Sequence, residues 1–201
     1  MGADLAVLRN NLEALERVLV AFSGGADSAF LAWVAHDTLG YESARCFTAV
    51  SPSIADSELE ECARLAQEWG LNWEPIKTSE MENAAYRVND SDRCYYCKSA
   101  LMDVAEPVAQ LHDCVVVLGV NTDDLGDHRP GQSAAEERKA RFPLVEAKFS
   151  KADVRAHSQH LGLRTWDKPA AACLASRIPY GTEVSVSLLR KLDRAESALK
   201  A

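Results

Sequence analysis

The chain has 201 residues, of which 47% are hydrophobic, and a formal net charge of −8. This length and composition allow a substantial core, which argues against unfolded and fibrous classes. The acidic balance argues against nucleic acid as a partner, because such binding depends on neutralising phosphates. No stretch is long and apolar enough to span a membrane, and no export signal is recognisable, so we expect a cytoplasmic location and a small-molecule substrate.

Strands and helices are predicted to alternate along the chain. Four apolar runs predict strands, in chain order RVLVAF, ARCFTAVS, LNWEPI and CVVVLGV. Helical spacing follows the first two runs and ends at Gly40 and Gly70. The β-branched fourth run is typical of a strand that is buried on both faces. The pattern predicts an α/β fold, a three-layer sandwich with a mainly parallel sheet.

Three more helices are predicted in the second half of the chain. One runs from about Cys94 to Leu111 and is interrupted or kinked near Pro107. Another covers SKADVRAHSQHLG, where Ser150 and Asp153 form a capping box. The last covers VSVSLLRKLDRAESALKA and has no strand after it.

The turn SGGADS, between the first strand and its helix, predicts an anion site. Unpaired N–H groups at a helix N-terminus and glycines that allow close approach suit a phosphate, so Ser23, Gly24, Gly25 and Ser28 would hold its oxygens. The turn lacks the lysine of the Walker loop and the third glycine of the dinucleotide fingerprint. The alternative is a plain glycine turn in which Ser23 or Asp27 caps the helix.

SGGADS matches SGG-x-DS, and the chain therefore resembles the PP-loop ATP pyrophosphatases. The resemblance implies their adenine nucleotide α-hydrolase-like fold, in which AMP passes to a substrate oxygen and pyrophosphate leaves. It implies a Mg²⁺ ion placed by Asp27. It further implies ATP contacts from Ala21 and Phe22 at the strand end and from Ser51 at the end of the second strand.

Downstream motifs resemble the LarE family of sulfur transferases over nearly the whole chain. They are DRCYYCK, GVNTDDLGDHRPG and WDKPAAACLASRIPYGT. The resemblance implies adenylation of a carboxylate in a pyridinium dicarboxylate mononucleotide and its conversion to a thiocarboxylate for the nickel-pincer nucleotide cofactor. Sulfide or another sulfur donor would then be required.

The family uses two sulfur schemes, and the cysteines favour one of them. Ala172 stands at the position that we assign to a sacrificial cysteine, whereas Cys94, Cys97 and Cys173 match the three-cysteine pattern. The resemblance implies that they hold a [4Fe–4S] cluster with one iron free to carry sulfide. One alternative is that these cysteines are only small residues with no shared role. Another is a structural zinc site, for which a fourth soft ligand is not evident. The other cysteines, 46, 62 and 114, are predicted to be buried and without chemistry.

The remaining candidates follow the fourth strand or lie near the third cysteine. Gly119, Asp124 and Arg129, with Asp123 and Asp127, come at the carboxyl edge of a parallel sheet, where ligands bind. As polar loop residues they could equally be solvated. Arg177 in ASRIPYG is predicted as a phosphate clamp and catalytic residue, because guanidinium suits bidentate contact with phosphate.

The resemblance divides the chain and leaves alternatives open. Residues 1–182 would form the PP-loop domain, and 183–201 a helix leading toward a C-terminal domain that family members carry and this chain lacks. Assembly into a homo-oligomer stays open. The alternative functions are a PP-loop tRNA thiolase, which the acidic balance disfavours, and a non-catalytic ATP-binding module.

Overall fold

Four parallel strands form the sheet, in the order β3-β2-β1-β4. They are β1 (Val18–Ala21), β2 (Ala44–Val50), β3 (Asn72–Lys77) and β4 (Val115–Leu118). The computed structural model describes residues 3–126 and 130–200. Because β1 lies between β2 and β4, the loop that follows it emerges at the centre of the carboxyl edge. The predicted parallel sheet is confirmed.

Helices connect the strands and cover both faces of the sheet. They are α1 (Leu5–Glu13), α2 (Ala26–Leu39), α3 (Asp56–Trp69), α4 (Ala84–Val88), α5 (Arg93–Leu111), α6 (Pro130–Glu137), α7 (Pro143–Glu146), α8 (Lys151–His160) and α9 (Val186–Lys200). The capping box of Ser150 and Asp153 is confirmed, and α5 continues through Pro107 as one helix. In the described ranges, no helix combines the length and apolarity that crossing a bilayer requires.

Two apolar cores lie on opposite faces of the sheet. Along β1, Val18 and Val20 point into one core with α1, α2, α3 and α8, while Leu19 points into the other with α5 and α6. This alternation follows from the period of two along a strand. The three-layer sandwich is therefore confirmed, and its buried strands hold the carboxyl edge in place.

A third, smaller apolar cluster supports the C-terminal segment. Tyr86 of α4 and Leu174 pack there with Val184, which precedes α9, and with Leu189 of α9. The cluster joins residues on both sides of the predicted boundary at residue 182, and the division into 1–182 and 183–201 stays a prediction.

Candidate active site

A cavity of about 460 Å³ opens at the carboxyl ends of the strands. Most of the predicted site residues line it, namely Ala21, Phe22, Ser23, Gly25, Asp27, Ser28, Ser51, Cys97, Gly119, Cys173 and Arg177. Gly24, Cys94 and Asp124 do not appear in its wall. Arg129, like Asp127, falls outside the described residues. The sheet edge thus collects side chains from distant parts of the sequence around one space.

The phosphate-loop candidate is the turn between β1 and α2. Its Gly24 has a φ of +67°, a conformation that favours glycine. The hydroxyl groups of Ser23 and Ser28 lie 3.0 Å apart, and the Ser23 N–H donates to Ser28 Oγ at 3.2 Å. Gly25 occupies the N-cap position without any side-chain cap. The alternative of a helix capped by Ser23 or Asp27 is therefore wrong, since no side chain caps the first N–H groups of α2.

Two lysines flank this loop, and sequence reasoning assigned neither of them a role, although Lys168 lies in the motif WDKPAAACLASRIPYGT. Lys151, the first residue of α8, forms an ion pair with Asp27, whose other oxygen accepts a 3.2 Å hydrogen bond from Asn121. Lys168 donates to the Gly24 carbonyl at 3.1 Å and pairs with Glu58 at 2.8 Å. Both ammonium groups thus lie beside the turn, each paired with a carboxylate of the cavity wall.

Gly119 lies in the cavity wall because β4 must pass close to the start of α2. A Cβ at this position would come within 2.8 Å of the Ser28 nitrogen and 2.9 Å of the Asp27 carbonyl carbon. Both contacts are with backbone, so a side chain can fit only if the phosphate loop moves. The glycine that the motif singled out therefore sets the distance between the fourth strand and the loop.

Gly119→Ala should accordingly weaken ATP binding as well as the fold. We expect a loss of about 1–3 kcal/mol in the free energy of unfolding and at least a tenfold weaker ATP affinity, measured by denaturant titration and calorimetry. Gly162→Ala is the control, because Gly162 has a φ of +72° and open space around it, so strain costs about 1 kcal/mol away from the loop. Equal ATP affinity in both variants would contradict the inference that Gly119 sets the position of the phosphate loop.

The cysteines of the predicted cluster lie on two neighbouring segments. Cys94 and Cys97 are one turn apart at the start of α5, and Cys173 precedes the 3₁₀ helix Leu174–Arg177. Cys94 and Cys173 are exposed, and Cys97 is half-buried. The pKa of Cys97 is raised to about 12, mainly by burial. The negative charges of Glu80, Cys173 and Cys94 contribute to the same shift. The three thiols are thus within electrostatic reach of one another.

The described residues contain no preformed site for a single metal ion. Among them, no three His, Cys, Asp or Glu side chains are grouped to hold one. In an iron–sulfur cube each thiolate binds a different iron, so its cysteines need not converge on one point. The donor set of three thiols, two of them exposed, therefore fits a cluster better than a mononuclear site.

The remaining cysteines differ in exposure. Cys46 and Cys62 are buried, as predicted. Cys114 is only half-buried, and its thiol donates to the His112 carbonyl at 3.4 Å. It lies in the short connection between the end of α5 at Leu111 and the start of β4 at Val115. The prediction of full burial is therefore wrong for Cys114.

Two charged residues near Cys97 were not found by sequence reasoning. Lys98 follows it on α5, lines the cavity and is half-buried, and burial lowers the pKa of its ammonium group. Glu80, in the 3₁₀ helix Glu80–Glu82 after β3, is buried and also lines the cavity. Lys98 is the last residue of the motif DRCYYCK, but the motif indicated no role for it, and a lone glutamate such as Glu80 carries no spacing signal.

Arg177 lines the cavity, but its guanidinium group is engaged in protein contacts. It pairs with Glu196 of α9 and donates to the Ala172 carbonyl at 2.6 Å and the Cys173 carbonyl at 3.2 Å. Asp124 accepts the Asn121 N–H at 3.1 Å and so shapes the loop after β4. Both predicted ligands thus hold the loops around the cavity.

A buried polar network fixes the segment that carries Cys173. The amide of Asn89 donates to the carbonyls of Ile178, Pro179 and Thr182, at 3.3, 2.9 and 2.9 Å. Arg93, one residue before Cys94, donates to Asn89 Oδ1 and to the Ala175 carbonyl. The start of α5 and the Cys173 segment are therefore tied together across some eighty residues of sequence.

Asn89→Ala should loosen this connection. Three carbonyls, one in a buried and two in part-buried bonds, and Arg93 lose a partner, which should lower the free energy of unfolding by about 2–4 kcal/mol. Limited proteolysis should cut faster within residues 173–182. Asn72→Ala is the control, because Asn72 makes one exposed bond, to the Tyr41 carbonyl. Equal losses in the two variants would contradict an anchoring role.

The fold and the loop at the centre of the sheet edge define a PP-loop protein. The solved NH3-dependent NAD synthetase from Campylobacter jejuni has the same fold, with a TM-score of 0.65 and 17% identity over 98% of this chain and 92% of that chain. No family model matches the chain. It is 36% identical to the pyridinium-3,5-bisthiocarboxylic acid mononucleotide synthase of Lactiplantibacillus plantarum, over 100% of this chain and 73% of the relative.

A relative from Synechocystis sp., an uncharacterized protein, is 49% identical over 100% of this chain and 75% of its own length. The chain belongs to the LarE family of PP-loop sulfur transferases. It is an enzyme of the ATP-using, adenylating class. The resemblance found in the sequence motifs is confirmed.

Proposed function

We propose that this enzyme adenylates a carboxylate of a pyridinium dicarboxylate mononucleotide and replaces one carboxylate oxygen by sulfur, toward the nickel-pincer nucleotide cofactor. The supporting observation is that one cavity is lined by both the phosphate loop and two of the three cysteines, Cys97 and Cys173. An activated carboxylate formed at the loop would therefore stay within the space that the thiols reach. The name of the Lactiplantibacillus plantarum relative describes a product of this kind.

The loop residues are suited to the adenylation step. A substrate carboxylate oxygen attacks the α-phosphorus of ATP, the bond to the β-phosphate oxygen breaks, and pyrophosphate leaves. The N–H groups at the start of α2 and the ammonium groups of Lys151 and Lys168 stabilise the charge that collects on the diphosphate. Asp27 would supply a carboxylate for Mg²⁺, which would take the place of Lys151 as its ionic partner. Ala21, Phe22 and Ser51 line the space for the nucleoside.

The cysteines are assigned to sulfur delivery. Cys94, Cys97 and Cys173 would hold a [4Fe–4S] cluster, which when bound offers an iron without a protein ligand for a sulfide. Lys98 follows Cys97 and lines the cavity, where its ammonium group would bind a substrate carboxylate. Arg177 keeps the carbonyl groups around Cys173 in place. In the alternative scheme, Cys173 itself gives up its sulfur and becomes dehydroalanine.

An acceptor comparison tests this function. Pyrophosphate release from ATP and Mg²⁺ should depend on the pyridinium dicarboxylate mononucleotide, and mass spectrometry should then find the thiocarboxylate when a sulfur donor is supplied. Release with tRNA instead, together with tight and salt-sensitive tRNA binding in a gel shift, would favour a tRNA thiolase. ATP binding without release under any condition would leave a non-catalytic binding module.

A further inference from the structure

Glu80 presents a buried carboxylate to the cavity. Its relative exposure is 3%, and its Oε2 atom is buried without a hydrogen-bond partner in the part of the chain that the structure describes. An ionised carboxylate in such a place is costly unless something compensates its charge. The side chain lines the cavity, so a cationic ligand there would compensate its charge through space, without a direct bond to Oε2.

The groups around Glu80 do not neutralise it. Its negative charge contributes to the raised pKa values of Cys97 and Tyr86, for both of which burial is the larger cause. The Tyr86 hydroxyl is already engaged with Ser53. Lys98 interacts electrostatically with Cys97 and Cys94. Lys98 is a cation on the same wall, but in the described part of the chain no ion pair joins it to Glu80.

The two parts of the cavity wall have opposite character. Around the phosphate loop stand the start of α2, which favours anions, and two lysines, Lys151 and Lys168, which are paired with Asp27 and Glu58. At the other part stand Glu80, the thiols and Lys98. Apolar side chains line the space with them, namely Phe22, Phe47, Leu101, Leu118 and Leu174. A ligand that fills the cavity should accordingly be anionic at one end, and flat, apolar and positive at the other.

We propose that Glu80 is the counter-ion for the positively charged pyridinium ring of the acceptor, and so selects this ring over uncharged aromatic carboxylates. This inference rests on the proposed function. An N-substituted pyridinium is a flat cation whose charge is spread over an apolar ring, which matches a carboxylate set among apolar walls. A neutral ring of the same shape would leave Glu80 buried and unpaired, and this penalty provides the discrimination.

Binding of a charged and an uncharged ring tests the role of Glu80 directly. The probes are nicotinic acid mononucleotide, with a pyridinium ring, and its carbon-linked 3-carboxyphenyl ribotide, with a neutral ring of the same shape. Calorimetry on the wild-type chain should give at least about tenfold tighter binding of the pyridinium probe, equivalent to about 1.4 kcal/mol. A wild type without this preference would overturn the proposal, whatever the variants do.

Variants then assign the preference to the residue. Glu80→Gln should bring the two affinities to within about twofold, mainly by weakening the pyridinium probe, whereas Glu80→Asp should keep the preference. Glu82→Gln is the matched control, because Glu82 is exposed in the same turn. If the Glu80→Gln variant keeps the preference, or if its affinity falls equally for both probes, Glu80 does not discriminate between charged and neutral rings.

The outcome can be separated from that of the proposed function. If the wild type forms the thiocarboxylate but Glu80→Gln leaves the ring preference intact, the function stands and the inference fails. If the preference depends on Glu80 but neither pyrophosphate nor thiocarboxylate forms, the inference stands and the function fails.

Discussion

Asp27→Asn should lower the rate of pyrophosphate release by at least about a hundredfold, because the amide keeps the shape of the side chain but removes the charge that would hold Mg²⁺. The fold should remain, since the ion pair with Lys151 is partly exposed and such pairs contribute about 1 kcal/mol or less. Initial rates at saturating ATP and acceptor, with thermal unfolding of the same samples, provide the measurement.

Asp37→Asn is the matched control for this change. Asp37 lies near the other end of α2 and pairs with Arg9 on the surface. Its substitution therefore also removes a carboxylate charge from an ion pair on α2, but outside the cavity. Its rate should stay within about twofold of the wild type. An Asp27→Asn enzyme that releases pyrophosphate at the wild-type rate would refute the metal role of Asp27.

Single substitution of Cys94, Cys97 or Cys173 by alanine should abolish both cluster assembly and sulfur transfer. Removal of one cysteine leaves only two thiolate ligands. The cluster, in which one iron already lacks a protein ligand, would then have two such irons. After anaerobic reconstitution with iron and sulfide, the wild type should hold about four irons per chain and absorb broadly toward the violet. Iron content and absorption are independent of turnover, so they test the ligand set by themselves.

Cys114→Ala is the cleanest control for the cysteine series, because Cys114 is half-buried, as Cys97 is, but does not line the cavity. It should keep both the cluster and the sulfur transfer. A full cluster in Cys173→Ala would contradict the three-ligand assignment. Loss of one sulfur per turnover from Cys173, with dehydroalanine left in its place, would show the sacrificial scheme instead.

The layered fold was predictable because its signals are local. The β-branched run of β4 and the glycine ends of α2 and α3 each appear within a few residues of sequence. Helices α4 and α7 have five and four residues, which is too short for a periodic pattern to show. Their positions are set by packing instead, as Tyr86 of α4 in the third apolar cluster illustrates.

The candidate site was predictable where a motif marks it and not elsewhere. The phosphate loop is a contiguous hexapeptide, whereas Lys151 and Lys168 reach it across 124 and 144 residues of sequence. Glu80 is buried by tertiary packing, in which its 3₁₀ helix contacts α5. Arg177 shows the opposite case, since its residue type pointed to phosphate while its contacts hold Glu196 and two carbonyl groups.

The route of the carboxylate oxygen tests the central proposal of adenylation and thiolation most directly. The acceptor is prepared with a heavy oxygen isotope in its carboxylates, and AMP is analysed by mass spectrometry after turnover in ordinary water. If the carboxylate attacks the α-phosphorus and sulfur then displaces AMP, one heavy oxygen leaves with AMP while the acceptor gains sulfur. AMP without the heavy isotope, formed at the rate of pyrophosphate release, would mean that water attacks ATP and would contradict the account.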